Sequence, residues 1–391
     1  MDIQELFQCM VDQRASDLYL TAARPPMYRI DGVVNPVGEH NCRPQELEAL
    51  ALSIMNERQR QEFAETMEMN MAMSLPNVSR FRVNIYRQRG SVGLVIRRVK
   101  VEIDSLAALG LPPILGDIAM TKRGLVLVVG ATNSGKSTTL AAMIDHRNSI
   151  EGGHIITVED PIEFVHRHKK SIVTQREVGF DTHSYQAALK NALRQAPDVI
   201  LIGEVRDTEV MESAVTFAET GHLCLGTLHS NNANQAIERI LNFFPPTRHA
   251  QIYLQLSLNL RAIVSQRLIP SLDDGVRVAA IEILLDTPRV KDLIKRREID
   301  VLKDAMEQGI QEGCQTFDQA LFLLYKEGRI SWDNALINAD SANNLRLKIK
   351  LAGLKIEDDL REAQPCRIPA GQGVSRPFVV NEANALRLRR E

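Results

Sequence analysis

Five cysteines in 391 residues, Cys9, Cys42, Cys224, Cys314 and Cys366, are scattered and odd in number, and no two form a Cys-x-x-Cys pair. That spacing offers neither a disulfide framework nor a structural zinc site, and it fits a reducing compartment. No apolar run is long enough to cross a bilayer. Residues 1–5, Met-Asp-Ile-Gln-Glu, lack a basic stretch leading into an apolar one, so no secretory signal is expected. The formal net charge is only −2, so no overall basic field recruits nucleic acid or anionic lipid. No internal repeat is evident. What is present is an ordinary globular composition, 44% hydrophobic and 25% charged, in a chain long enough for two or three domains.

Residues 1–100 mix helix and strand. The pattern predicts a short amphipathic helix over 3–11, a strand over 17–21, and a hairpin over 27–34 that turns at Asp31-Gly32. A helical period runs over 46–66, and 80–86 and 93–99 alternate like paired strands around Arg89-Gly90. Pro112 and Pro113 interrupt residues 101–122, which read as a linker. From Gly124 to residue 286, short apolar strands at 125–129, 155–158, 199–202 and 223–227 alternate with helical stretches. That rhythm implies a parallel sheet covered by helices on both faces. Residues 287–355 read as helical, over 290–306 and 317–327, and the Pro- and Gly-bearing tail over 356–391 is expected to be disordered.

Residues 130–137 read Gly-Ala-Thr-Asn-Ser-Gly-Lys-Ser, a complete phosphate-binding loop between an apolar strand and a helical pattern. A buried strand must end there, the chain must turn tightly, and a helix must begin with free N–H groups aimed at one point. Gly130, Ala131, Thr132, Asn133, Ser134, Gly135, Lys136, Ser137 and Thr138 are therefore the candidate nucleotide cradle. Lys136 can reach the outer phosphates, and the Ser137 hydroxyl can ligate Mg²⁺.

Triphosphate hydrolysis also needs a positioned water, a metal and positive charge at the developing anion. The strand at 155–158 runs into Glu159, Asp160 and Glu163 at the end of the sheet where ligands bind. Glu163 or Glu159 could orient or deprotonate the water; the alternative is a solvated acidic loop. Glu204 follows the apolar run 199–202 and can bind Mg²⁺ through water. His222 precedes the next strand and His229 follows it, which favours His229 as a sensor of the γ-phosphate and leaves His222 open. Arg194 and Arg206 flank the same strands. Arg82 and Arg97, by spacing alone, are surface arginines on a hairpin or guanidinium groups delivered from another domain or subunit.

The strings at 157–166, 193–207 and 218–230 resemble the Asp box, the second nucleotide motif and the His box of the secretion-superfamily ATPases. Ala-Ser-Asp-Leu-Tyr-Leu at 15–20 and Thr-Phe-Asp-Gln-Ala-Leu at 316–321 resemble the type IV pilus retraction branch, the PilT/PilU family. The resemblance spans about residues 1–345. It implies an α/β fold, a RecA-like P-loop ATPase core behind a smaller N-terminal α+β, PAS-like domain, with a helical C-terminal region. It also implies a homo-hexamer with ATP and Mg²⁺ at the cleft between domains. Glu163 then matches the family's catalytic glutamate and Glu204 that of its second motif. Arg82, Arg97, Arg194 and Arg206 fall at the phosphate-sensing arginines, with the family's separations of fifteen and twelve residues within the pairs.

Assembly-type members usually carry Cys-x-x-Cys zinc ligands, whose absence here points to retraction. The retraction motors' Ala-Ile-Arg-Asn-Leu-Ile-Arg-Glu helix is replaced by Thr-Pro-Arg-Val-Lys-Asp-Leu-Ile-Lys at 287–295. With the long tail, this resembles the PilU type, which implies action beside a PilT-type ATPase on an inner-membrane pilus platform protein, from the cytoplasmic side, peripheral to the membrane only through partners. Competing readings are an assembly or secretion ATPase, a ring subunit that binds nucleotide without hydrolysing it, and a DNA-acting motor, the last disfavoured by the charge.

Overall fold

The computed structural model describes residues 2–75, 79–99, 101–273 and 275–354; the tail expected to be disordered lies outside them. Helix α1 (Ile3–Asp12) buries Ile3, Phe7 and Met10 at helical spacing, and the Asp2 carboxylate caps its start. Strands β1 (Asp17–Leu20), β2 (Met27–Ile30) and β3 (Val33–Pro36) follow, the last two joined at Asp31-Gly32 as read from sequence. The helical period over 46–66 is two helices, α2 (Pro44–Ile54) and α3 (Glu57–Thr66). Asn56 breaks the run because its side chain caps Gln59 N–H at 2.9 Å while the Gln59 side chain returns to the Asn56 N–H at 3.0 Å.

Strand β4 (Glu68–Leu75) escaped the sequence reading, since its buried positions are Met69 and Met71 rather than β-branched residues. It pairs with β5 (Ser79–Gln88), which pairs with β6 (Ser91–Val99), in a six-stranded sheet of order β3-β2-β1-β6-β5-β4. Alternation along β5 buries Phe81, Val83 and Ile85 on one face and puts Arg80 and Arg82 on the other. That second face meets the larger sheet: Arg80 donates to the Glu177 carboxylate at 2.9 Å, and Glu177 is 1% exposed.

The short α4 (Ile114–Ala119) buries Leu115 and Ile118 against strand β7 (Gly124–Val129) and α5 (Lys136–Ile150). Then come β8 (Gly153–Glu159), β9 (Ser171–Glu177), α6 (Tyr185–Ala192), β10 (Val199–Ile202), α7 (Thr208–Glu219), β11 (Leu223–Leu228), α8 (Ala233–Asn242) and α9 (His249–Asn259). Strands β12 (Leu260–Pro270) and β13 (Arg277–Leu285) complete a seven-stranded sheet of order β13-β12-β7-β11-β10-β8-β9, parallel except for β13 at one edge. In β7, Leu125, Leu127 and Val129 face a core shared with α6 to α9, while Val126 and Val128 face one shared with α4 and α5. Helices cover both faces, as the strand rhythm implied.

The helical run expected over 290–306 is interrupted. Helix α10 (Pro288–Arg296) stops at Arg297, whose φ of 68° no helix continues, and α11 (Leu302–Gln308) resumes after a 3₁₀ turn. Helices α12 (Phe317–Lys326), α13 (Trp332–Ile337) and α14 (Ala342–Leu351) build a separate core with Ile269, Val278 and Ala280.

Buried in the larger sheet, Glu282 of β13 accepts from the Ala233 N–H at 2.8 Å and the Ser265 hydroxyl at 2.9 Å. Burial pushes its carboxyl up to about 7 against these hydrogen bonds. Between the ordinary carboxyl range and about pH 7, the folded chain therefore holds a proton that the unfolded chain has released. Its contribution to stability is lost as pH rises through that window. Glu282→Gln keeps the acceptor oxygen and cannot ionise. It should gain on wild type from about pH 5 to about pH 8, by on the order of 2 kcal/mol, read as thermal midpoints across pH. A difference that stays flat across that range would remove Glu282 as the titrating group.

Candidate active site

The strand order sets the ends of β7, β11, β10 and β8 side by side. The chain leaves them at Gly130, His229, Gly203-Glu204 and Glu159 in turn, around a cleft of about 530 Å³. Two glycines shape the loop on the β7 side. A Cβ on Gly130 would lie 2.4 Å from Ser134 Oγ and 2.6 Å from the Gln266 carbonyl oxygen. Gly135, at φ +88°, starts α5 with no side-chain cap, so the first N–H groups of the helix stay available to a ligand. Lys136 folds back and donates to the Gly130 and Ala131 carbonyls, each at 2.9 Å. Burial pulls its ammonium below the ordinary lysine range, opposed by Glu204 and Glu163. The Ser134 hydroxyl is buried with no partner among the described residues. A glycine cradle, an uncapped helix start, a lysine on its own carbonyls and an orphaned hydroxyl fit a polyphosphate.

The two carboxylates left open by the sequence differ sharply. Glu159 also lines the cleft but is partly buried, and its carboxyl accepts from Thr157 Oγ1 at 2.7 Å, Gln175 Nε2 at 3.2 Å and the Glu163 N–H. Burial drives it upward against those hydrogen bonds. Glu163 is exposed on the cleft wall. Glu204 sits between Arg206 Nε at 2.7 Å and His229 Nε2 at 3.2 Å, and Arg206 also reaches Asp160 at 3.0 Å.

The remaining candidates are scattered. Arg82 donates to the Ile162 carbonyl, one residue before Glu163. Arg97 lies opposite Arg82 across β5 and β6 but turns to Asp17 at 2.7 Å. Arg194 is exposed in a turn whose Gln195 carbonyl meets His154 at 2.9 Å, at the start of β8, the opposite end of the sheet from the phosphate loop. His222 is likewise at the start of β11, 3.0 Å from Thr220 Oγ1. In a parallel strand the residues before and after it are separated by the full strand length, so one chain cannot bring Arg194 or His222 to this cleft. Leu268 and Arg277 also line it, and sequence reading missed them. Polar residues interrupt β12, which hid it as a core strand.

A family model described as "Type II/IV secretion system protein" matches residues 1–328. The chain is 54% identical over 360 residues, 92% of its length and 94% of the relative's, to the "Type IV pilus ATPase PilU" of Pseudomonas aeruginosa. It is 43% identical over 344 residues, 88% of its length and 100% of the relative's, to the "Type IV pilus retractation ATPase PilT" of the same organism. Among solved structures, the pilus retraction motor PilT with bound ADP superposes with a TM-score of 0.81 at 41% identity, covering 88% of this chain and 99% of that one.

Proposed function

Because the chain belongs to the type II/IV secretion system protein family, we propose that it is a hexameric ATP-hydrolysing motor that powers or assists type IV pilus retraction, in the PilU manner, beside a PilT-type ATPase. The observation that carries this reading is the meeting of Lys136, Glu204, His229 and Glu163 in one cleft, with Arg82 of the N-terminal sheet gripping the loop before Glu163.

The triphosphate binds the Gly130–Thr138 loop, and Lys136 exchanges its two carbonyls for phosphate oxygens. Glu163, on the open wall, takes the proton of the attacking water. Glu159, already held by three donors, fixes the loop that presents Glu163. Ser137 and Glu204 would hold Mg²⁺, which when bound supplies positive charge at the phosphates. Among the described residues no group of three or more His, Cys, Asp or Glu is arranged for a metal; phosphate oxygens and water would supply the other Mg²⁺ ligands. His229 and Arg206 hold Glu204 in place and sense the outer phosphate.

Arg82 touches the loop whose position the γ-phosphate sets, so hydrolysis changes its grip and moves the N-terminal sheet against the core. Arg97 and Arg194 serve across subunit boundaries of the ring, where their distance from their own cleft is no obstacle. The working units are residues 1–100, 101–122, 123–286 and 287–355. Among the described residues no helix is long and apolar enough to cross a membrane. By its likeness to the pilus ATPases, the motor works on the inner-membrane platform protein at the cytoplasmic base of the pilus.

The test is pilus dynamics in a strain lacking this chain. Pili should remain on the surface and retraction under load should slow, with wild type restoring it and Lys136→Ala not. Loss of pili from the deletion strain would instead mark an assembly motor.

A further inference from the structure

We propose that Gln266 is a positioning residue for the phosphate loop, acting through Thr139; the inference rests on the reading of the cleft given above. The loop has a structural problem that its own residues do not solve. A side chain at Gly130 would run into the Gln266 carbonyl, and Gly135, at φ +88°, holds a backbone conformation that side chains strain, so nothing at those two positions braces the loop from within. The brace comes from the neighbouring strand. Ser265 of β12 pairs with Val129, which puts Gln266 level with the point where the chain leaves β7.

Gln266 is 4% exposed and meets the loop at three places. Its carbonyl oxygen lies 2.6 Å from where a Gly130 Cβ would be, at the entry. Its side-chain nitrogen lies 2.7 Å from where a Gly135 Cβ would be, at the exit. Its Oε1 accepts from the hydroxyl of Thr139 at 2.7 Å, in the first turn of α5, and Thr139 is 1% exposed. Entry, exit and helix start are therefore set by one side chain and its own backbone.

The strand that carries this brace is itself held. Arg267 donates to the Asn338 carbonyl at 2.6 Å and to Asp340 at 2.8 Å, and its guanidinium lies 3.8 Å from the centre of the Phe317 ring. Ser265 donates to buried Glu282 at 2.9 Å. A group on a fixed strand holds its neighbour to a small fraction of an ångström, which is the tolerance that convergent N–H groups need.

A brace of this kind orders the loop equally for bound substrate and for the transition state. Its loss should raise KM and leave kcat nearly alone. The experiment uses the full-length chain with phosphate release at varied ATP, fluorescent ADP binding and thermal melts. Thr139→Val, which keeps the shape and removes the hydroxyl, should raise KM about tenfold with kcat held within about threefold. Gln266→Leu should do the same. Thr139→Ser, which restores the hydroxyl, should keep the wild-type KM. The Thr139→Val, Gln266→Leu double variant should be no worse than Gln266→Leu alone, because the Thr139 hydroxyl acts only through that side chain.

A wild-type KM in Thr139→Val, or effects that multiply in the double variant, would overturn the proposal. If Gln266→Leu does not fold, the two Thr139 variants decide alone. Were wild type itself neither to bind ADP nor to release phosphate, the reading of the cleft would be what fails.

Discussion

Lys136→Ala should stop phosphate release, with the rate at saturating ATP down by on the order of 10³-fold or more. The ammonium lies 2.9 Å from each of two loop carbonyls and is largely shielded from water. A phosphate offers the same ammonium anionic oxygens in place of neutral carbonyls, and charge-assisted hydrogen bonds are roughly twice as strong as neutral ones. The charge on those oxygens grows as the γ-phosphoryl group transfers, so the interaction is stronger in the transition state than in the ground state. Alanine also strands the Gly130 and Ala131 carbonyls. Lys136→Gln, which can still donate to one of them, therefore separates loop collapse from loss of charge, and it should be as inactive as alanine. Phosphate release from a purified ring, with a melting curve for each variant, reads the outcome. A rate within tenfold of wild type in both would end the assignment of Lys136.

Glu163→Gln should lower kcat by about 10²- to 10⁴-fold while ATP binding stays near wild type, because a general base contributes to the chemical step and little to affinity. The variant should hold ATP without turning it over. Glu159→Gln is the informative comparison. That carboxyl is partly buried, driven toward its neutral form, and engaged with Thr157 and Gln175. A neutral isostere reproduces much of what it does, so its loss of kcat should be at least tenfold smaller than that of Glu163→Gln. Single-turnover phosphate release with pre-bound ATP distinguishes the two. If Glu159→Gln is the more damaging, the roles are reversed and the water is activated from the buried side.

The loop at 130–138 was legible because everything it needs is local. A strand, a tight turn with glycines, a lysine and a helix start are consecutive in the chain, and spacing encodes them. The same is true of Glu204 and His229, each set at a strand end by the apolar run before it. The Glu159–Glu163 ambiguity was different. Both sit at the end of the same strand, and only the packing of Thr157 and Gln175 around one of them tells the half-buried carboxyl from the exposed one. Arg82 and Arg97 look alike by spacing and sit opposite each other in register, yet one grips Ile162 and the other pairs with Asp17. Strand β4 and the break at Asn56 were missed for local reasons, a methionine-built strand and an unrecognised capping box.

By itself, then, the chain's order of residues determined that a parallel sheet would present a phosphate loop, two acidic strand ends and a histidine, since each depends on neighbours a few positions away. Tertiary structure alone decided which of these share a cleft: the strand order that sets β11 and β10 between β7 and β8, and the seating of Gln266 behind the loop. Those contacts join residues from 24 positions apart, Val199 with Leu223, to 136 apart, Gly130 with Gln266. Which distant segments meet is set by packing of the whole core, and no spacing along the chain records it.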